Sequence, residues 1–317
     1  SVVEHFLGKE EVPGSSPGDS SKSKAVVPSE LPLLFCTLFR FRTTSQSNRT
    51  DGITCGDVTL QHKSFSIMRI HVNPASERLR SFTELLPEQF GAGGEVLHTG
   101  RNTIKAFDVG GERIVVKRFR RPNLFQAFIY TFFRRSKARR SYEHAVRLRA
   151  LGVDSPEPIA WSEYRHHGLL RDSYYVSHYS DYTPLSQTTE HFPGAGTLPV
   201  LEAFARFAVQ LHEQGIEHRD FNHGNVLWRR DTATGTICFQ LIDINRMRFA
   251  DRPLRPRVCM VNLRRLSCPA VAFLFILDRY AEARSWNIDD TLLQGTFFRL
   301  AFGRRKELCK RFKHRKR

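Results

Sequence analysis

The stretch HRDFNHGN at 218–225 restricts what this chain can fold into more than any other. Before it runs TLPVLEAFARFAVQLHEQG (197–215), where Leu201, Phe204, Ala205, Ala208 and Leu211 share one helix face and Gly215 ends the pattern. After it come NVLWRR and TICFQLIDI, which read as a hairpin. Two acids stand in this segment: Asp220 inside the polar loop, and Asp243 at the end of an apolar run. They are either working parts of a phosphate-handling site or ordinary loop acids of a very basic protein.

The chain has 317 residues, 40% hydrophobic, enough for one large domain or two lobes with real cores. Its longest clean apolar run, AVAFLFIL (270–277), falls far short of the ~18–20 residues of a membrane span. It reads as a buried helix or strand. The net charge of +17 suits polyanions such as nucleic acid, anionic lipid or phosphorylated glycans. An unspecialised basic surface would give the same count. Cys36, Cys55, Cys238, Cys259, Cys268 and Cys309 include no C-x-x-C pair and no zinc-like spacing, so they read as thiols in a reducing compartment. With no secretory pattern, the expected location is cytoplasmic.

A seam lies near residue 68. Residues 1–67 carry GSSPGDSSKSK and RTTSQSNRTDG, hold no sustained periodicity, and are expected to be a disordered or non-native extension. Met68 is the first methionine, hence a candidate native start. Residues 68–180 and 181–317 are expected to form two lobes of an α+β fold. In the first, 95–119 reads as three strands with a tight turn at Gly110-Gly111. Next come a helical segment over 122–152, bounded by Pro122 and Gly152, and two strands over 158–180. That makes five strands. Beyond 180, helices are expected at 197–215, about 260–285 and 289–312.

Phosphoryl transfer from ATP needs a lysine on the phosphates, oxygen ligands for Mg2+, and a base for the acceptor hydroxyl. Lys117 closes the third strand in IVVKRF, as in V-A-I-K, although a solvated strand end looks the same. Glu143 is the sole acid between Glu112 and Asp154, on the helix where a kinase-like fold places the lysine's partner. Asp220 and Asn225 have the D-x-x-x-x-N spacing of a kinase catalytic loop. Asp220 is then the base, and Asn225 and Asp243 are the metal ligands. Where a glycine-rich loop would cover the phosphates, only Gly100, Arg101 and Asn102 stand in TGRN.

GRNTIKAF, IVVKRF, RRSKARRSYEHA, GVDSPEPIA, HRDFNHGNVLW and LIDINRMRF together resemble the lipopolysaccharide core kinases of the Kdo/WaaP family, in its Bacteroides-like form. The resemblance covers about residues 68–280. It implies a two-lobed protein-kinase-like fold, with a five-stranded antiparallel lobe carrying one main helix and a mostly helical second lobe. It also implies ATP- and Mg2+-dependent phosphorylation of a Kdo or heptose sugar in the inner core. The acceptor would be a lipid A-core glycan at the cytoplasmic face of the inner membrane. Lys117, Asp220, Asn225 and Asp243 match the family's site residues, and Glu143 matches in position. Residues 1–67 have no counterpart in it.

The sequence after Asp243 departs from protein kinases. It reads Ile-Asn-Arg in place of Phe-Gly, and no A-P-E follows. That favours a glycan over a protein acceptor. Arg246, Arg248, Arg252, Arg255 and Arg257 suit an acceptor bearing phosphates or carboxylates, or are a solvated basic loop. FQAFIYTFFRRSKARR (125–140) has the make-up of an interfacial helix, and equally of a helix packed on its own lobe. The tail GRRKELCKRFKHRKR suits an anionic membrane surface, or RNA non-specifically. A protein or aminoglycoside-type kinase remains an alternative. So does a non-catalytic pseudokinase or nucleic-acid binder, although nucleic acid is not the expected partner. No obligate protein partner is implied.

Overall fold

Six antiparallel strands open the described part of the chain: β1 (Ser66–Val72), β2 (Glu95–Thr99), β3 (Thr103–Val109), β4 (Glu112–Arg118), β5 (Pro158–His166) and β6 (Leu169–His178). Their order across the sheet is β1-β5-β6-β4-β3-β2. The computed structural model describes residues 66–314, within a unit that spans His62–Arg317. The expectation for residues 1–67 therefore lies outside the described residues, except that Ser66 and Ile67 already pair with His166 and Arg165. The sheet has one strand more than expected, because β1 adds to the edge of β5.

Period-2 alternation sorts the two faces of β4. Ile114 and Val116 are buried with Val72, Ala160, Tyr174 and Val176, beneath Leu79, Leu86 and Phe90. Leu86 and Phe90 belong to α2 (Leu86–Ala92), which follows a 3-10 turn (Pro74–Leu79) and α1 (Arg80–Glu84). Lys117 is out of step with Ile114 and Val116, so it points to the opposite face. Gly110 and Gly111 both have positive φ, 59° and 80°, as a two-residue primed turn between β3 and β4 requires.

The expected single helical segment over 122–152 is two helices, α3 (Leu124–Phe132) and α4 (Lys137–Ala150). The break has a clear cause. Arg134 N–H closes back onto Ile129 C=O, and the buried Ser136 side chain accepts from Arg139 N–H to cap a new helix. α4 packs on β5 and β6, and its Ala145 and Leu148 also enter the second core.

That second core belongs to the rest of the chain: β7 (Thr183–Pro184), α5 (Leu185–Glu190), α6 (Thr197–Glu213), β8 (Ile216–Glu217), β9 (Val226–Arg230), β10 (Ile237–Leu241), β11 (Arg248–Phe249), α7 (Pro256–Leu263), α8 (Ala270–Ala283) and α9 (Ile288–His314). β9 and β10 form the expected hairpin. The stretch expected as one helix near 260–285 is again two, with Pro256 in the first turn of α7 and Pro269 capping α8. AVAFLFIL lies in α8, and Phe273, Ile276, Leu277 and Tyr280 bury its inner face. Each such side chain contributes roughly 1.5–3 kcal/mol on burial. Cys238, Cys259, Cys268 and Cys309 are free thiols.

Gly215 joins this core to the polar loop. It has φ 71° at the end of α6, its C=O accepts from Ala250 N–H, and a Cβ there would overlap the carbonyl oxygens of Ala250 and Arg252. Backbone oxygens cannot rotate away as a side chain can. Gly215→Ala is therefore expected to cost about 2 kcal/mol or more, lowering the melting temperature by roughly 4–8 °C in a thermal melt.

Candidate active site

β8 carries the chain from Gly215 into HRDFNHGN, and buried hydrogen bonds hold that loop from below. His212 Nδ1 lies 2.9 Å from Tyr280 Oη, and its Nε2 lies 3.1 Å from Asn262 Oδ1. Asn262 Nδ2 then donates to the His218 carbonyl at 2.9 Å. Because the Asn262 oxygen must accept, Nε2 carries a proton, and in the neutral ring Nδ1 accepts from the Tyr280 hydroxyl. Burial favours that form and lowers the His212 pKa to about 4.

His218 is the hub of the loop. Its Nδ1 accepts from Asp220 N–H at 3.3 Å, and its Nε2 donates to the Ile242 carbonyl at 3.0 Å. One buried ring thus couples the backbone of Asp220 to the residue before Asp243. The Asp220 carbonyl accepts from Asn222 N–H at 2.8 Å and from Asn225 Nδ2 at 2.9 Å. The second bond orients the Asn225 amide, because a carbonyl partner requires its nitrogen and leaves Oδ1 for another ligand. Asn222 Oδ1 accepts from Gly224 N–H at 2.8 Å and so shapes the turn between them. The Asp220 carboxylate is half-buried and takes no side-chain hydrogen bond or ion pair among the described residues.

Asp243 follows β10 in a left-handed conformation, φ 53° and ψ 41°, which costs a non-glycine residue on the order of 1–3 kcal/mol. Its Oδ1 accepts from Lys117 Nζ and from Asn245 Nδ2, both at 2.7 Å. Burial pushes its pKa up, but the charge and hydrogen bond of Lys117, with His218 and Asn245, outweigh that. The carboxyl is held below its usual range. Asp243 therefore stays ionised, with Oδ2 taking no hydrogen bond from the described residues.

Glu143 is not where the sequence reading put it. Lys117 pairs with Asp243, while Glu143 accepts from Arg135 at 2.8 Å and from Arg139 at 2.9 Å. The phase of α4 is the reason. Lys137, Arg140 and His144, spaced i, i+3, i+7, lie on one side of the helix. Two of them bind the turn after Asp243: Arg140 donates to Asn245 C=O at 2.8 Å, and His144 Nδ1 meets Ile244 C=O at 2.7 Å. Glu143 is rotated away. Lys137 was missed by the sequence reading. Burial chiefly lowers its pKa, with Arg101, Arg140 and Arg246 repelling it and Asp243 attracting it. The signal lay in SKARRSYEH, whose helical phase is legible only once Ser136 is known to be the cap.

The turn between β2 and β3 contains Gly100, Arg101 and Asn102. Gly100 N–H donates to Asn102 C=O at 3.2 Å, and Asn102 Oδ1 accepts from Arg120 N–H at 3.2 Å. Asn102 therefore shapes the turn and has its side-chain oxygen in use. The charge of Arg101 repels that of Lys137.

The donor set suits a magnesium nucleotide. Asp243 Oδ2 and Asn225 Oδ1 offer two hard oxygens. That matches an ion that keeps several waters and takes the rest of its shell from phosphates. Among the described residues no group of three or more His, Cys, Asp or Glu could hold a metal.

The model of the lipopolysaccharide kinase (Kdo/WaaP) family matches residues 105–281, more than half of the chain and all of the residues from Lys117 to Asp243. The chain belongs to this family. As a member it is assigned to the kinases of lipopolysaccharide synthesis. Among solved structures it is similar to "WaaP in complex with acyl carrier protein", with a TM-score of 0.51 and 19% identity. That match covers 75% of this chain and 97% of the other. The likeness shows the fold, a two-lobed protein-kinase-like α+β arrangement. No curated protein matches the chain.

The buried histidines give the kinase a pH signature. A His whose folded pKa lies below its unfolded value, about 6.5, contributes nothing above that pH. Stability is then lost as pH falls toward the folded pKa, here about 4 for His212. Burial lowers His144, His218 and His223 in the same direction. Between pH 7 and pH 5, His212→Gln should lose roughly 2 kcal/mol less than wild type in denaturant melts.

Proposed function

We propose that this protein transfers the γ-phosphoryl group of ATP to a hydroxyl of a Kdo or heptose sugar in the inner core of a membrane-borne lipid A glycan. The observation that carries the reading is the coupling of Asp220 and Asn225 to the end of β10 through His218 and the Asp220 carbonyl. It supports a reading in which Asp220 is the proton acceptor and Asn225 and Asp243 supply the metal-binding oxygens. Residues 68–180 and 181–317 are the two lobes, and the substrates meet between Lys117 of one and the Asp220 loop of the other.

Lys117 binds phosphate oxygens, and Asp243 and Asn225 are the residues that would hold Mg2+. When bound, that ion neutralises charge on the phosphates. Asp220 takes the proton of the acceptor hydroxyl as the new P–O bond forms, and ADP leaves with the bridging oxygen. An unpaired carboxylate suits that role, because no cation has to be displaced first. Lys137 and Arg101 add positive charge near Asp243, where a single-glycine turn supplies few backbone donors.

The acceptor is anionic in this reading. Burial and the nearby Arg248 and Arg246 lower the Arg219 pKa, against one weak counter-charge, Glu217 at 3.9 Å. Such a cluster relaxes when phosphate or carboxylate arrives. Arg252, Arg255 and Arg257 extend the exposed basic surface. The protein works at the cytoplasmic face, peripheral to the inner membrane, and no helix of the described residues is long and apolar enough to cross a membrane. The WaaP neighbour was solved with acyl carrier protein. A carrier protein is therefore a candidate partner for this chain too, in place of the expectation that none is implied.

Incubating the full chain with ATP, Mg2+ and a Kdo–lipid A acceptor should add one phosphate, read by mass spectrometry. No transfer by wild type would overturn the substrate assignment. Asp220→Ala should slow transfer on the order of 10²–10⁴-fold while keeping the ATP·Mg2+ thermal shift. Asp243→Ala should abolish that shift, and Glu143→Gln should leave it unchanged.

A further inference from the structure

Helix α3 leaves its apolar side chains in solvent. Leu124 is 81% exposed, Phe125 73%, Phe132 64% and the following Phe133 77%, with Phe128 less so. Leu124, Phe125, Phe128 and Phe132 fall within an arc of roughly 100° on the helix surface. Beside that arc Ala127 is buried, and Ile129, Tyr130 and Thr131 are half-buried where the helix docks. Thr131 Oγ donates to Ala127 C=O at 2.7 Å and accepts from Leu170 N–H at 3.0 Å. The exposed rings pack on each other, Phe128 against Phe132 at 4.9 Å and against Phe133 at 5.8 Å between centroids. They form one continuous patch.

The chain segment that carries it has a single sign of charge. Between Glu112 and Glu143 the chain has ten Lys and Arg and no acid. Exposed arginines stand at both ends of the helix: Arg120 and Arg121 before it, Arg134 and Arg135 after it. Arg121 is paired with Asp172 and Arg135 with Glu143, whereas Arg120 and Arg134 make no ion pair among the described residues. A short helix with an aromatic strip, held between cations at either end, matches a surface that is apolar inside and anionic at its headgroups. The patch is the exposed flank of a helix, so it can sink into a deformable layer.

We propose that α3 is the membrane-docking element of this protein, lying flat on an anionic bilayer with Phe125, Phe132 and Phe133 among the acyl chains and Arg120 and Arg134 at lipid phosphates. The inference rests on the reading of the acceptor as a membrane glycolipid, and it names the surface that brings the enzyme to it. α3 is tied to β6, and α4 follows it after one short break. A bilayer holding α3 therefore holds the lobe that carries Lys117.

Co-sedimentation of the full chain with phosphatidylcholine vesicles, with and without a third of phosphatidylglycerol, tests it. Wild type should bind the anionic vesicles, less so as salt rises, and scarcely bind the neutral ones. Phe125→Ser/Phe133→Ser should bind at least about tenfold more weakly, and Arg120→Gln/Arg134→Gln should bind more weakly with a flatter salt dependence. Both doubles should keep the ATP·Mg2+ thermal shift and transfer phosphate to detergent-dispersed acceptor at the wild-type rate. A phenylalanine double that binds anionic vesicles like wild type overturns the proposal. So does a wild type that ignores those vesicles but binds acyl carrier protein through the same phenylalanines, which would assign the patch to an acidic protein. Phenylalanine-dependent vesicle binding without transfer in detergent would sink the kinase reading and leave the docking surface standing.

Discussion

The Lys117–Asp243 ion pair joins two halves that each have their own core. Lys117 ends a strand of the six-stranded sheet, and Asp243 follows a strand packed in the helical half, 126 residues further on. Both side chains are largely buried, at 14% and 28% exposure. Desolvation consumes most of the Coulomb gain of such a pair, so its main product is register rather than stability. Removing either partner leaves a buried charge alone, and the left-handed backbone at Asp243 persists because Lys117, Asn245 and the His218–Ile242 bond determine its position together.

Around that pair the arrangement is cationic. α4 turns Lys137, Arg140 and His144 toward the Asp243 turn and its lone acid, Glu143, toward Arg135 and Arg139. Among the described residues no acid pairs with Lys117 except Asp243. The same bias runs outward along α3, where cations frame an exposed aromatic strip, and past Asp220, where Arg219, Arg246 and Arg248 repel one another. The proposed ligands, a charged nucleotide and an anionic glycan, would relieve this self-repulsion.

Much of this was legible in the residues. HRDFNHGN with LIDIN already identified the loop, the hairpin and the three polar groups, because their spacing depends on a local turn and a short hairpin. The alternation in IVVKRF put Lys117 on the face away from Ile114 and Val116. Glu143 was misread because a helix face depends on where the helix starts, and the break after Phe133 resets that phase. The extra strand β1 was missed since a sheet edge is defined by its neighbour and not by its own pattern.

The amino-acid order alone determines the spacing of the HRDFNHGN loop and its hairpin, the basic character and the strand that ends in Lys117, all properties of short segments. Tertiary structure decides the partners. It gives Lys117 to Asp243 rather than Glu143, since that choice rests on the packing of α4 against a turn some hundred residues away. It also separates two readings of one apolar helix. The periodicity of α3 fits a packed helix as well as an interfacial one, and only its docking, which covers Ala127 and parts of Ile129, Tyr130 and Thr131, leaves its phenylalanines outside.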